Sequence, residues 1–353
     1  MEKNSQFEAR FTHIPADVWS KVAKIDEMKG KWTGGVNLSP HILGRLKKSV
    51  LVTSAGASTR IEGANLSDEE VEALMMGIKV GKWESRDEQE AGGYYELLKN
   101  VFDSWQVLTV SESGIKHFHR EMLKYVPKDE RHRGDYKKGE NTVEMIDADG
   151  NTIGVVFETV PAYLTPKKMQ ELVEWTVSVL LEKRVHPLFI IGNFIVEFLH
   201  IHPFQDGNGR LSRILTNLFL LKEGYSYMPY VSHEKFIEDN KSDYYISLRR
   251  SQKTFGTENE SIADWMEFFL TMLLKQSEMA MELMGSEQIE KLLSKKQLSV
   301  WQYLESVSEA TPSEIAEKTA IARPTVNQAI TKLLNLNVIE KIGSGRGTRY
   351  RKL

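Results

Sequence analysis

The chain has 353 residues, 41% hydrophobic and 27% charged, with a net charge of −3, the balance of a globular protein with cores enough for about two domains. That composition excludes a disordered tail, a collagen-like repeat and a small disulfide-stapled scaffold. The complete lack of cysteine also excludes disulfides, thiolate nucleophiles and thiolate metal sites.

The opening MEKNSQFEARFTHIP holds no signal-peptide stretch. The most apolar run, Leu188 to Ile201, is interrupted by Asn193, Glu197 and His200. It is shorter than the roughly 18 apolar residues of a membrane span, so a buried helix, no membrane contact and a cytoplasmic location are expected. Residues 291–353 hold 11 Lys/Arg against 5 acids, a charge of +6 that leaves −9 on the remainder. A basic module on an acidic body points to two kinds of partner.

In chain order, Ser67-Asp68-Glu69-Glu70 reads as a capping box opening an amphipathic helix over 71–78. Helices follow over 94–105 and 113–123. Strand signals at 142–146 and 152–156 flank Asp147-Ala148-Asp149-Gly150-Asn151, whose Asp-Gly suits a tight hairpin turn. Pro161 and Pro166 mark a turn before a helix over 168–181. His186-Pro187 leads into the apolar helix 188–199. After a loop at 202–209 comes a helix over 210–221, with Leu211, Leu215, Leu218 and Leu221 at helical spacing. Helices near 241–252 and 262–283 complete a mostly α body with loops short enough for one bundle-like domain. Met272, Met279, Met281 and Met284 read as core, or as an interface that would suit a homodimer.

From about residue 285 the character changes. Leu298, Trp301 and Leu304 mark one helix. Thr311-Pro312-Ser313-Glu314 is a capping box opening a second, and 323–336 reads as a third. Strands at 338–342 and 348–351 surround Gly343-Ser344-Gly345-Arg346-Gly347. Three helices and a basic hairpin resemble a winged helix-turn-helix, whose third helix enters the major groove of DNA while the wing touches phosphate. Arg323, Thr325, Asn327 and Gln328 stand where base edges would be read. A protein-contact or dimerisation module has the same pattern.

The most informative stretch is His202-Pro203-Phe204-Gln205-Asp206-Gly207-Asn208-Gly209-Arg210-Leu211-Ser212-Arg213. Gly207, Asn208 and Gly209 allow successive N–H groups to be aimed into one concavity at a helix N-terminus, where an anion is favoured. Arg210 and Arg213, three apart, are expected on one side of the first turn. Asp206 supplies a hard oxygen, and one carboxylate with polyphosphate oxygens is how Mg²⁺ is usually held. The assembly predicts a cradle for Mg²⁺-bound polyphosphate with an imidazole at its edge. It is neither a dinucleotide fingerprint nor a Walker loop, since the third Gly and the Lys-Ser/Thr are missing, and no three-ligand zinc pattern is present.

This stretch resembles the signature of the Fic family (filamentation induced by cyclic AMP), His-x-Phe-x-Asp/Glu-Gly-Asn-Gly-Arg-x-x-Arg, at all eight fixed positions. The resemblance runs over roughly residues 50 to 280. The hairpin at 142–157 is similar to the family's target-docking flap, and Asn240-Lys241-Ser242-Asp243-Tyr244-Tyr245 to its nucleotide-base segment. It implies a mostly α, Fic-type helical core with a β-hairpin flap at 111–285. An N-terminal helical region would occupy 1–110 and a winged helix-turn-helix 286–353.

By the same resemblance the activity is protein adenylyl transfer, moving AMP from ATP to a Ser, Thr or Tyr hydroxyl of a target protein or of the chain itself. His202 would be the general base and Asp206 the Mg²⁺ ligand. Gly207, Asn208 and Gly209 would bind developing charge, the Asn208 side chain included. Leu211 and Ser212 would complete the ATP-binding stretch. Arg210 and Arg213 would clamp the outer phosphates, Arg213 the γ, and Tyr244 and Tyr245 would line the adenine pocket. The flap would pair an extended target segment along its edge.

Ser58-Thr59-Arg60-Ile61-Glu62-Gly63 reads alone as a helical turn with a Gly stop. It also resembles the family's inhibitory motif, Ser/Thr-x-x-x-Glu-Gly/Asn. A bidentate pair from Glu62 to Arg213 would remove the cation meant for the γ-phosphate, so Ser58, Glu62 and Gly63 predict a self-inhibited enzyme. Gly92-Gly93 before Tyr94 departs from the Asn often found there in related proteins. The alternatives are a nucleotide-sensing, DNA-binding regulator, and a variant that removes AMP or transfers another phosphate-containing group.

Overall fold

The computed structural model describes the chain apart from residues 1–4, 12–13, 36–37, 39, 76–82, 147–151, 292, 337 and 344. The expected turn Asp147–Asn151, the end of the helix expected at 71–78 and Ser344 of the glycine-rich turn therefore lie outside the described residues. The chain divides into two compact units, Met1–Met281 and Glu282–Leu353. Among the described residues no helix is long and apolar enough to cross a membrane.

The first unit opens with α1 (Ser5–Ala9), α2 (Ala16–Gly35), α3 (Pro40–Ile61), α4 (Asp68–Met75), α5 (Arg86–Ser104) and α6 (Glu112–Met122). Strands β1 (Thr142–Ile146) and β2 (Thr152–Glu158) pair antiparallel, Thr142 opposite Glu158, with register shifts along the ladder. Then come α7 (Thr165–Glu182), α8 (Pro187–Ile201), α9 (Asn208–Lys222), α10 (His233–Asp239), α11 (Lys241–Gln252) and α12 (Ala263–Lys291).

At its centre lie α8 and α9. Phe189, Ile190, Phe194, Val196, Phe198 and Ile201 of α8 are buried around its whole circumference, as an all-apolar helix must be. Arg213, Ser212 and Asn217 of α9 are buried too. Polar groups at such depth need partners, and these partners form the site described below.

Two long helices, α2 and α3, were not expected from the sequence. The buried part of α3 is built from Val50, Leu51, Val52, Ser54, Ala55, Ala57, Ser58 and Thr59. Its β-branched residues, its serines and Gly56 favour helix only weakly, and close packing against α5 and α10 overrides that preference. Helix α5 begins eight residues before the expected start because Ser85 and Glu88 form a reciprocal capping box. The paired glycines that hid this turn are demanded by packing. A Cβ at Gly93 would lie 1.9 Å from the Met122 carbonyl oxygen of α6, and one at Gly92 would lie 2.3 Å from the Trp83 ring.

The second unit holds α13 (Lys295–Glu305), α14 (Pro312–Thr319), α15 (Arg323–Asn335) and the antiparallel pair β3 (Ile339–Ile342) and β4 (Arg349–Lys352). Its helices pack around Trp301, Leu304, Ile315, Val326, Ile330 and Leu333, with Ile339 from β3. Capping boxes at Ser294–Gln297 and Thr311–Glu314 start α13 and α14. Ala310 and Tyr350 exchange backbone hydrogen bonds of 2.9 Å in both directions, adding a bridge beside β4.

Candidate active site

The loop between α8 and α9 is built to a fixed shape. Helix α8 ends on His202, whose left-handed backbone (φ 51°, ψ 60°) reverses the chain. Asn208 then closes the turn on itself. Its Oδ1 accepts the Phe204 N–H at 2.9 Å and its Nδ2 donates to the Phe204 carbonyl at 2.8 Å. Beneath the loop, the His119 ring stacks on Phe204 with centroids 3.8 Å apart and planes 6° from parallel. Gly134 N–H donates to His119 Nδ1 at 2.8 Å, so the proton sits on Nε2, 2.9 Å from the Asp206 carbonyl oxygen. Burial pushes this imidazole down to about 4, keeping it in the neutral tautomer that the two bonds require.

The flap is stitched to the same loop. Lys137 N–H donates to the Pro203 carbonyl at 2.8 Å and Asn141 Nδ2 to the Phe204 carbonyl at 3.0 Å. Lys137 Nζ donates to Asn141 Oδ1, Thr159 Oγ1 and the Ile201 carbonyl. The roots of β1 and β2 are thereby tied to the end of α8.

His202 Nδ1 lies 3.3 Å from the Leu199 carbonyl oxygen. That acceptor calls for the proton on Nδ1 and leaves the basic lone pair on Nε2. Burial, with Lys137 nearby, pushes its pKa down to about 4 against the opposing pull of the Leu199 carbonyl. The imidazole is therefore unprotonated at neutral pH, the state a proton acceptor needs.

Anion-binding groups converge at the start of α9. Arg213, 2% exposed, donates from Nε to Ser58 Oγ at 2.8 Å and from Nη2 to the Ser58 carbonyl at 2.9 Å and Glu62 Oε1 at 2.8 Å. Arg213 Nη1 is buried with no hydrogen-bond partner among the described residues. Glu62 thus meets Arg213 through one N–H···O contact instead of the expected bidentate pair, because Nε is turned to Ser58 and only Nη2 reaches the carboxylate. The same carboxylate lies against Gly209, where a Cβ would fall 2.3 Å from Glu62 Oε1 and 3.4 Å from Arg213 Nη1. An anionic group is already seated at a helix N-terminus, beside a buried arginine with a donor to spare.

The end of α3 explains how Glu62 is presented. Gly63 N–H bonds to the Arg60 carbonyl and Ala64 N–H to the Thr59 carbonyl, each at 3.1 Å. With φ +101° at Gly63, this is a glycine-stopped helix end that makes Glu62 the last residue before the turn. Arg60 pins the turn through Asp68, Glu238 and the Leu66 carbonyl. Ser58, Glu62 and Gly63 are brought together with Arg213.

Other expected residues stand differently. Arg210 and Arg213 turn to different carboxylates. Arg210 pairs with Glu90 (2.6 Å) and Asp206 (3.0 Å), since burial of both arginines sends each to its own carboxylates. The Asn208 side chain is engaged with Phe204. Leu211 is fully buried with its N–H bonded to the Gly207 carbonyl, and Ser212 Oγ donates to the Gly209 carbonyl at 2.7 Å. Each of these three side chains is engaged in the loop or the core. Tyr244 packs its ring against Trp265 and Phe268 with its hydroxyl toward Ser212 and Arg213, and Tyr245 Oη donates to the Ile61 carbonyl at 3.3 Å, beside Glu62.

Asp206 is the hard-oxygen group of the loop. Its Oδ1 accepts the Gly207 N–H at 2.6 Å, and its Oδ2 receives Arg210 and also Arg86 at 2.7 Å. Burial works to raise its pKa, but Arg210 above all, with Gly207 N–H and Arg86, holds it below the usual carboxylate range. Glu90, Asp129 and Asp206 bring ligand oxygens within 4.8 Å of one another, an all-oxygen set whose chemistry fits Mg²⁺.

Sequence reasoning missed His119, Arg86, Glu90 and Asp129. The Arg86/Glu90 pair at i,i+4 was the one local signal. His119 reaches Asp206 across 87 residues and Asp129 reaches Arg86 across 43.

Residues 109–220 match the family model described as Fic/DOC family. A probable protein adenylyltransferase of Aquifex aeolicus is 27% identical over 186 residues, 51% of each chain. A protein adenylyltransferase Fic of Culex quinquefasciatus is 46% identical over 41 residues, 12% of this chain and 8% of that one. The chain thus spans about half the length of the first relative and under a tenth of the second. Among solved structures, a Fic family protein from Desulfovibrio desulfuricans aligns over 98% of both chains with a TM-score of 0.63 at 23% identity. A Fic domain containing signaling protein from Bacteroides thetaiotaomicron aligns over 74% of this chain and 98% of that one, with a TM-score of 0.60 at 21% identity. These two likenesses show the fold.

Proposed function

The chain belongs to the Fic/DOC family through residues 109–220, and from that premise we propose that it is a protein adenylyltransferase held in check by Glu62. One observation carries the reading: the Glu62 carboxylate rests between Gly209 and Arg213 at the start of α9, the place where an outer phosphate of ATP would be held. The site accepts an anion there, and the chain's own side chain is the anion.

In the reaction a target hydroxyl oxygen forms a bond to the α-phosphorus of ATP while the bond to the bridging oxygen breaks and diphosphate leaves. His202 takes the hydroxyl proton on Nε2. Backbone N–H groups at the start of α9, unpaired within any helix, bind the charge that develops on the phosphoryl oxygens. Arg213 orients the outer phosphates, and Tyr245 stands beside them for the base. Asp206 would hold Mg²⁺, whose chemistry when bound is to neutralise phosphate charge. With Glu62 on Arg213, nucleotide that enters is misplaced for in-line attack, and positioning supplies much of the rate.

ATP labelled at either the α- or the γ-phosphorus tests the reaction class. With the Glu62→Gly protein, label at α is expected to reach protein and label at γ to leave as diphosphate. Protein labelled from the γ position would instead mean phosphoryl transfer.

For the second unit the reading is a winged helix-turn-helix that meets DNA through α15. Its support is the exposure of Arg323, Asn327 and Gln328 at the front of that helix. Fluorescence anisotropy with duplex DNA at low salt tests it, and an anisotropy unchanged by Arg323→Glu would remove it.

A further inference from the structure

Arg86 stands where helix physics argues against a cation. It is the first residue of α5, and the partial positive charge of a helix N-terminus favours acids there. Asp87 and Glu88 behind it follow that rule. The Arg86 guanidinium serves other partners. Nε donates to Glu90 Oε1 at 2.7 Å, and Nη2 donates to Asp206 Oδ2 at 2.7 Å and Asp129 Oδ2 at 3.2 Å. It sits where a single cation would be shared by carboxylates from α5, from the turn after α6 and from the loop before α9.

We infer that Arg86 is an internal counter-cation that competes with the divalent metal for Asp206, so that the metal-binding form of the site requires Arg86 to withdraw from that carboxylate. The inference rests on the adenylyl-transfer reading above. An ionised carboxylate offers about four lone-pair positions, and at Asp206 three are engaged, by Arg86 and Arg210 at Oδ2 and by Gly207 N–H at Oδ1. A dication and two guanidinium groups on one carboxylate repel one another, so one must go. Gly207 N–H belongs to the loop itself. The Arg210 side chain is 3% exposed and held from its other edge by Glu90. The Arg86 side chain is 44% exposed, so solvent can receive it. It is the partner whose release disturbs least, which makes it a positioning residue that sets how readily the metal is taken up.

The test uses the full-length Glu62→Gly protein with Mn²⁺ and an ATP analogue whose α–β bridge cannot be cleaved, reading free Mn²⁺ by electron paramagnetic resonance. Adding Arg86→Gln is expected to tighten Mn²⁺ binding about fivefold, the scale of one partly exposed ion pair. Arg86→Lys, which keeps the charge and loses the fork, is expected to fall between, and a further Asp206→Asn to erase the gain. Equal or weaker Mn²⁺ binding in Arg86→Gln, with the analogue retained, overturns the role of Arg86 and leaves adenylyl transfer standing. Failure of the analogue to bind the Glu62→Gly protein at all removes both.

Discussion

His202 shows how much of the chemistry is set by burial. An imidazole of ordinary pKa, near 6.5, would at pH 5.5 have lost about nine-tenths of its base form. At His202 burial brings the value to about 4, so the unprotonated form persists well below neutrality. The expected outcome is a transfer rate in the Glu62→Gly protein that stays flat from pH 7.5 to 5.5 when followed under saturating ATP. A tenfold fall across that range would show either that His202 is not the base or that its ring is solvated in the working form. At this scale the eight signature positions were legible because one short stretch holds them all. His119, Arg86, Glu90 and Asp129 were not. Each acts through a residue far along the chain, and a histidine on the buried face of α6 has no local mark that separates it from packing. The Asn208 side chain was legible as important, but its bonds to Phe204 were not, because a loop's internal hydrogen bonds depend on its final shape.

Among the elements, α5 is where pattern and packing diverge most. Two adjacent glycines in a helix interior cost about 1 kcal/mol each relative to alanine, which by propensity alone makes Gly93→Ala stabilising. The contact with α6 reverses the sign. A Cβ 1.9 Å from the Met122 carbonyl oxygen meets backbone, which cannot rotate away, so Gly93→Ala is expected to destabilise by about 1–3 kcal/mol, as overpacking does. Urea unfolding followed by far-UV circular dichroism checks it, and a raised midpoint would show that α5 and α6 can separate without loss. The same physics made α3 hard to foresee, since Ser54, Gly56 and Ser58 allow close approach at the expense of helical signal. The hairpin was legible as β1 and β2 from strand signals at 142–146 and 152–156 on either side of Asp-Gly. Its attachment through Lys137 and Asn141 was not, because it runs to the Pro203 and Phe204 carbonyls.

For the molecule as a whole, buried histidines set the response to acid. His119 and His233 are buried, and burial pushes both down to about 4. A folded-state pKa below the unfolded value near 6.5 means that the unfolded chain binds more protons between those limits. Their contribution is therefore complete above pH 6.5 and is lost as pH falls toward 4, at about 1.4 kcal/mol per pH unit for each histidine. Unfolding midpoints measured from pH 7 to 4.5 should fall steadily below 6.5, and His233→Gln should flatten the slope. Constant stability down to pH 5 would mean that these rings are protonated in the fold. In the second unit the cations of the hairpin are locally paired, Arg349 with Glu309, Arg351 with Glu340 and Lys352 with Glu305. Charge counting could not foresee that pairing, which depends on how the hairpin lies against α13.

The claim that a carboxylate holds the place of a phosphate is tested most directly by intact mass after incubation with ATP and Mg²⁺. The account predicts that the unsubstituted protein keeps its mass, that Glu62→Gly gains AMP-sized increments, and that adding His202→Ala abolishes them. Equal labelling with and without Glu62, or a gain that survives His202→Ala, would contradict it.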